Sequence, residues 1–238
     1  MKFNNILGLT IWLNLFLLSN LTKKLSLYYN YVNIIDLLNI WNKIDIYNSR
    51  SIIMIIISGR MKGTKLFTLD GLNTRPTLDR VKEPLFSIIN FNLDDAVVLD
   101  LFSGSGALGL ESISRGAKKA YLCDNSYEAI RVIKQNVEKT KAQASAVVIS
   151  KNFVKAIEEL ALEKIKFDIV FLDPPYKTDY AEQATEMIIK NNLLADSGII
   201  IIETDEKEKV LEKLQNIDIN MYDERKYGRV TLLFLRKE

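Results

Sequence analysis

From Ala96 onward, short apolar runs alternate with stretches whose apolar residues recur every three to four positions. Short apolar runs rich in β-branched residues read as buried strands, and the longer periodic stretches as amphipathic helices. The pattern predicts a strand at Ala96–Leu101 and a helix at Ala107–Arg115, with Gly116 as its C-cap. Strand Lys119–Cys123 and helix Tyr127–Lys139 follow, then strand Val147–Ser150 and helix Phe153–Leu162. Strand Phe167–Leu172 leads to helix Tyr180–Lys190, and strand Gly198–Glu203 to helix Lys207–Gln215. Such alternation with apolar strands predicts an α/β fold, a mostly parallel sheet covered on both faces. Two last strands, Ile217–Tyr222 and Arg229–Leu235, joined through Lys226-Tyr227-Gly228, predict a C-terminal antiparallel hairpin and a seven-stranded total. No internal repeat or low-complexity linker interrupts this body.

The stretch ahead of it reads differently. Met54–Ser58 is an apolar run followed by Gly59, basic residues, Gly63 and Thr64–Thr68, which predicts a small N-terminal β-hairpin. Thr77 is the expected N-cap of a helix from Leu78 to about Asn90, with Pro84 expected to kink it or delay its start. Residues 1–53 contain no Ala, Glu or Pro and a single Gly, and are dense in Asn, Ile, Leu and Tyr. Their apolar run, Ile6 to Leu18, has a charged start but no good small-residue cleavage site, and is short for a membrane span. The expectation is a gene-model extension ahead of a true start at Met54, as translated A/T-rich non-coding sequence would give. A genuine leader or membrane tether and a structured appendage are the other readings.

Composition narrows the chemistry. The chain has no histidine and one cysteine, Cys123. That excludes His-based triads, a His general base, an internal disulfide framework and multi-Cys zinc sites. The net charge of +2 conceals a basic stretch: residues 60–82 carry Arg60, Lys62, Lys65, Arg75, Arg80 and Lys82 against Asp70 and Asp79. A basic arm before a mildly acidic body suits a phosphate-rich partner held by one face. An ordinary solvated charged face is the plainer alternative.

Leu99 to Glu111 reads LDLFSGSGALGLE, in which Gly104, Gly106 and Gly109 have the G-x-G-x-x-G spacing of dinucleotide sites, with Asp124 twenty positions after Gly104. Two details argue against a pyrophosphate. Asp100 ends the strand, where a carboxylate is awkward beside an anion but suits an amine or sulfonium. The connection Leu101-Phe102-Ser103 is also longer than a tight phosphate turn needs. D-x-F-x-G-x-G is the pattern associated with S-adenosylmethionine. Asp124, at the end of the second strand, can accept both ribose hydroxyls, and Asn125 stands beside it. Asn152 can offer its amide to adenine or cap the next helix, with Phe153 beside the ring. The expected cofactor set is therefore Asp100, Phe102, Ser103, Gly104, Gly106, Asp124, Asn125, Asn152 and Phe153.

Asp173-Pro174-Pro175-Tyr176 follows the fourth strand, about 70 residues after Asp100. A proline pair there stops both helix and ladder and fixes a rigid loop at the ligand-binding edge of the sheet. The Asp173 carboxylate and the Pro174 carbonyl can converge on one exocyclic amino group, which offers two donors. Tyr176 supplies a flat face for a planar base. These four are the expected catalytic residues, and no metal is expected.

The two motifs together resemble the S-adenosylmethionine-dependent amino-group methyltransferases with (D/N)-P-P-(Y/F). More closely, residues from Met54 to the C-terminus are similar to the RsmD family of bacterial 16S rRNA guanine 2-amino methyltransferases. The resemblance is carried by MIIISGRMKGTKL from Met54, by TRPTLDRVKEPLF from Thr74 to Phe86, by Leu99–Glu111 and by Asp173–Tyr176. It departs at Pro84, where the family usually has Ala, at Asp124 for the commoner Glu, and at Asn152 for a frequent Asp. It implies a Rossmann-like class I methyltransferase fold, S-adenosylmethionine as cofactor with S-adenosylhomocysteine as product, and methylation of a guanine 2-amino group. It also implies 16S rRNA or a small-subunit assembly intermediate as partner, held by Arg60, Lys62, Lys65, Arg75, Thr77, Arg80 and Lys82. The expected organisation is an extension at 1–53, an RNA-facing hairpin and helix at 54–92, and the methyltransferase domain at 93–238. A monomeric cytoplasmic enzyme without an obligate protein partner is expected. A DNA adenine 6-amino methyltransferase, an NAD-dependent oxidoreductase and a non-enzymatic RNA-binding module stay open as alternatives.

Overall fold

The computed structural model of the protein describes residues 54–69 and 76–237, and in residues 76–80 the backbone alone. The expectations for residues 1–53 and Arg75 lie outside the described residues, as do those for the Thr77 and Arg80 side chains.

The chain opens with a two-stranded antiparallel hairpin, β1 (Met54–Ile55) and β2 (Lys65–Leu66), in which Met54 faces Leu66. Helix α1 (Pro76–Ile88) begins at Pro76 rather than after Thr77. Proline fits a first helical position, because its missing N–H would have no intrahelical partner there. Pro84 lies inside α1 without ending it, at the loss of one rung of the helical ladder.

The alternating body follows: β3 (Val97–Asp100), α2 (Ala107–Ser114), β4 (Lys119–Asp124), α3 (Tyr127–Lys139), β5 (Ala146–Ser150) and α4 (Phe153–Leu162). It continues with β6 (Phe167–Leu172), α5 (Tyr180–Lys190), β7 (Leu194–Thr204), α6 (Lys207–Leu214), β8 (Asn220–Tyr227) and β9 (Val230–Arg236). Seven strands form one sheet in the order β5-β4-β3-β6-β7-β9-β8. Strands β3 to β7 are parallel, and β9 is antiparallel to both β7 and β8. Two strands differ from the expected bounds by more than one residue at an end. β7 starts four residues earlier than Gly198, and β8 runs to Tyr227 instead of stopping at Tyr222. β8 is an edge strand with mostly exposed residues. Its extent is set by pairing with β9, not by any apolar alternation of its own.

Side-chain alternation splits the core in two. Val98, Ile169, Phe171, Ile199 and Ile201 pack under the hairpin and helices α1 to α3. Leu99, Val170, Ile200 and Leu233 face α4, α5 and α6. The hairpin is tied to the first layer by buried polar contacts. The Glu111 carboxylate of α2 accepts the N–H groups of Ile57 (2.7 Å) and Ser58 (3.0 Å). Ser114 Oγ accepts the Met61 N–H at 2.9 Å, and the Ser114 carbonyl accepts the Arg60 N–H at 2.8 Å. On α3, fully buried Asn136 accepts the Phe67 N–H (2.7 Å) and donates to the carbonyls of Phe67 (3.0 Å) and Ser105 (2.8 Å).

Candidate active site

Strand order reverses between β3 and β6, and in such sheets the crevice beyond the strands' carboxyl ends receives the ligand. A cleft of about 570 Å³ opens there, within the range of small-molecule sites. Its walls carry Asp100 from the end of β3, Asp124 from the end of β4 and Asp173 just past β6.

The loop after β3 is shaped by Asp100. Its Oδ2 accepts the Ser103 hydroxyl (2.8 Å) and the Gly109 N–H (3.2 Å), folding Phe102 to Gly109 around the carboxylate. Gly109 permits this because a Cβ there would lie 2.1 Å from Leu122 Cδ2 of β4. Asp124 holds the same loop from the other side, accepting the N–H of Gly104 (2.9 Å) and of Ser126 (2.9 Å). Each oxygen of Asp124 keeps a further lone pair for a ligand hydroxyl.

Three carboxylates in one cleft repel each other. Burial, with smaller additions from Asp173 and Asp124, pushes the Asp100 carboxyl up to about 7, against the Ser103 and Gly109 hydrogen bonds that lower it. A cationic ligand group would relieve that cluster, whereas a pyrophosphate would worsen it. Cys123 lies fully buried behind Asp124, and burial, with Asp124 and Asp100, pushes its thiol up to about 12. It is therefore no nucleophile near neutral pH.

Of the expected cofactor residues, Asp100, Phe102, Ser103, Gly104, Asp124, Asn125 and Phe153 line the cleft. Gly106 stands behind it as the left-handed N-cap of α2. Asn152 takes the capping alternative: its Oδ1 accepts the Lys155 N–H at 3.0 Å at the start of α4, and it is not among the residues lining the cleft. Asp173, Pro174, Pro175 and Tyr176 all face the cleft. Pro174 is buried while Pro175 is exposed, and the Pro175 carbonyl accepts the Thr178 hydroxyl at 2.7 Å, closing the loop.

Tyr180 was not among the expected residues. It lines the cleft and stacks on Phe102 (centroids 6.4 Å apart, planes within 6°), with Phe153 5.0 Å away. These three rings form an aromatic wall suited to a planar heterocycle. Helix periodicity alone offered no sign of Tyr180, because its partners come from the loop after β3 and from the start of α4.

The basic residues divide. Arg60, Lys62 and Lys65 are exposed on the hairpin. Lys82 is a correction: it is 1% exposed, its Nζ donates to the Ile55 carbonyl at 2.6 Å and lies 3.5 Å from Glu111 Oε2. A group so enclosed cannot touch an RNA phosphate. Among the described residues, no cluster of three or more acidic or cysteine side chains could hold a metal ion. None of the described helices is long and apolar enough to cross a membrane.

Comparison with known proteins agrees with this geometry. The family model described as conserved hypothetical protein 95 matches residues 54–236. Ribosomal RNA small subunit methyltransferase D of Haemophilus influenzae is 37% identical over 162 residues, 68% of this chain and 83% of that protein. YlbH of Bacillus subtilis is 33% identical over 184 residues, 77% of this chain and 99% of YlbH. The solved structure of yhhF from Escherichia coli superposes with a TM-score of 0.67 at 32% identity, covering 78% of this chain and 98% of that one. Residues 1–53 lie outside the family match.

Proposed function

The chain belongs to the conserved hypothetical protein 95 family, that of the RsmD methyltransferases, and on that premise we propose that it methylates the exocyclic 2-amino group of a guanine in small-subunit rRNA, using S-adenosylmethionine. The observation that carries the reading is the triple of strand-end carboxylates around one cleft, with Asp173 on the rigid Pro-Pro loop. The aromatic wall and the cleft's size fit an adenosine, and the Asp100 cluster fits an amino-sulfonium cation. When bound, S-adenosylmethionine supplies the electrophilic methyl carbon: the guanine nitrogen forms the N–C bond, the C–S bond breaks toward sulfur, and the proton lost from nitrogen goes to water.

The residues of the chain do the positioning. Asp100 attracts the cationic methionine end. Asp124 accepts the ribose hydroxyls, and Phe153 packs against the adenine. The guanine 2-amino group is a poor nucleophile, because its lone pair is delocalised into the ring. Asp173 and the Pro174 carbonyl accept its two N–H bonds and turn the lone pair toward the methyl carbon, which lowers the barrier mainly by placement and electrostatics. Tyr176 stacks on the base once it has been splayed out of its surroundings. Arg60, Lys62 and Lys65 hold the surrounding phosphates.

The decisive assay is methyl transfer from labelled S-adenosylmethionine to naked 16S rRNA, to assembled small subunits and to DNA. Label on the guanine 2-amino group of rRNA supports the proposal. Label on DNA adenine, or NADH binding without methyl transfer, overturns it.

Cofactor affinity should also depend on pH in a defined direction. Below about pH 7 Asp100 is protonated and neutral, so the cation loses its partner. Binding should tighten by up to about tenfold per pH unit as pH rises toward 7, then level off. Calorimetric titration between about pH 5.5 and 8 checks this, and Asp100→Asn should bind weakly with a flat profile.

A further inference from the structure

Five described residues other than glycine hold a left-handed backbone: Asp95, Lys141, Lys164, Lys177 and Asn192. Four of them have a structural account. Lys141, Lys164 and Asn192 each stand one past the C-cap of α3, α4 and α5. Their N–H groups and those of the residues after them bond back to the last helical turn, the left-handed stop with which helices commonly end. Asp95 turns the chain from a 3-10 helix at Asn90–Asn92 into β3. Lys177, with φ of +59°, ends no helix. It lies between Tyr176 and the start of α5, in the turn that the Thr178 hydroxyl closes on the Pro175 carbonyl. Glycine would take this conformation without steric cost. A lysine in that place points to work for its side chain.

The surroundings narrow that work. Lys177 is exposed. A cavity of about 20 Å³ behind the turn is walled by Lys177 together with Glu182, Glu203, Asp205 and Glu206, so balancing those carboxylates is the plainer role. Among the described residues, however, none of them forms an ion pair with Lys177. Glu206 is paired with Lys209 at 3.1 Å, and Asp179 with both Lys209 (3.1 Å) and Lys213 (2.7 Å) of α6. On the other side of the turn, Tyr176 lines the cleft, whose wall carries Asp100, Asp124 and Asp173. Carboxylates in that number repel an approaching phosphodiester. A base that enters the cleft leaves its phosphates at the mouth, where the residue next to Tyr176 offers an ammonium.

We propose that Lys177 holds a backbone phosphate of the nucleotide whose base enters the cleft, so that the catalytic loop binds RNA as well as placing the amino group. The inference rests on the rRNA methyl-transfer reading above. Arg60, Lys62 and Lys65 bring their charge from the hairpin, and Lys177 brings one from the loop itself. The strained turn has a use in this arrangement. It sets where the lysine stem leaves the backbone relative to the ring that stacks the base.

The test compares Lys177→Gly, Lys177→Ala and Lys177→Arg with the wild type. Lys164→Gly is the control: it removes the same charge and the same left-handed strain at the end of α4, away from the cleft. Single-turnover transfer from labelled S-adenosylmethionine gives the 16S rRNA concentration for half-maximal rate, measured from about 50 to 300 mM KCl. Lys177→Gly and Lys177→Ala should raise that concentration roughly five- to tenfold near 0.1 M salt, with the slope of log affinity against log salt shallower by about 0.7–0.9. Lys177→Arg should restore both values, and Lys164→Gly should change neither. Lys177→Gly should melt at or above the wild-type temperature, because glycine relieves the strain, and should bind S-adenosylhomocysteine as the wild type does. An unchanged slope in Lys177→Gly and Lys177→Ala overturns the proposal. If both also melt lower, the lysine balances the carboxylates behind the turn instead. A slope that falls equally in Lys164→Gly overturns it too, since any lost charge would then have the effect. Wild-type transfer to the guanine 2-amino group with an unchanged slope in the Lys177 variants sinks this inference alone. No such transfer by the wild type sinks the reading beneath it.

Discussion

Replacing Asp173 with alanine should stop methyl transfer almost completely while cofactor affinity stays near the wild-type value. The carboxylate is one of two acceptors for the amino group, and both act on the acceptor base rather than on the cofactor. Loss of a preorganised acceptor of this kind costs on the order of 10³-fold in rate, or ~4 kcal/mol. The neighbouring charges sharpen the expectation. Asp173 is one of the groups that raise Asp100, so its removal leaves Asp100 more readily ionised. Cofactor binding at neutral pH should therefore be unchanged or slightly tighter, whereas an unfolded or collapsed site would bind nothing. Asp173→Asn should keep more activity than the alanine variant, since its side-chain oxygen can still accept one N–H. Rapid-quench transfer rates with parallel cofactor titrations decide it. Near-normal transfer by Asp173→Ala would mean that the amino group is held elsewhere.

The second large effect concerns stability. Gly59 has φ of +80°, and a Cβ on it would lie 1.8 Å from the Ser114 carbonyl oxygen of α2. That oxygen belongs to backbone and accepts the Arg60 N–H, so neither side can yield without undocking the hairpin. Gly59→Ala should cost roughly 3 kcal/mol or more, combining left-handed strain with the clash. In a chain of this size that lowers Tm by about 10 °C. Gly63 is the internal control. Its φ is +84°, but nothing lies within 4 Å of its would-be Cβ. Gly63→Ala should lose only the conformational part, about 1–2 kcal/mol. Equal melting of the two variants would show that the hairpin is not pressed onto α2.

Most of the sheet and the cleft was legible in the sequence, because parallel strands buried on both faces read as unbroken apolar runs. Helices α3, α4 and α5 and strand β6 keep the predicted bounds. The carboxylates and the Pro-Pro loop were legible because their position follows from strand ends alone. What escaped depends on partners distant in sequence. Strand β8 offers few apolar positions and takes its length from β9. Tyr180 becomes part of the aromatic wall only when Phe102 and Phe153 are brought to it. Lys82 was misjudged by counting charge. Val81, Leu85 and Phe86 form the buried stripe of α1, with Ile89 just past its end, and Lys82 lies three and four positions from Leu85 and Phe86. Its place in that stripe was the available sign that it points inward.

The bonds that seat the hairpin on α2 and α3 join residues 53 to 69 positions apart, from Ser58–Glu111 to Phe67–Asn136. A chain made from its N-terminus therefore produces Met54 to Phe67 long before their partners exist. During synthesis these residues can form only a two-rung ribbon, which is marginal by itself in water. They wait until Glu111, Ser114 and finally Asn136 have emerged and α2 and α3 have closed on β3 and β4. The first described residues to be made are thus among the last to be fixed. A nascent chain halted anywhere before Asn136 leaves the loop after β2 without its buried clasp.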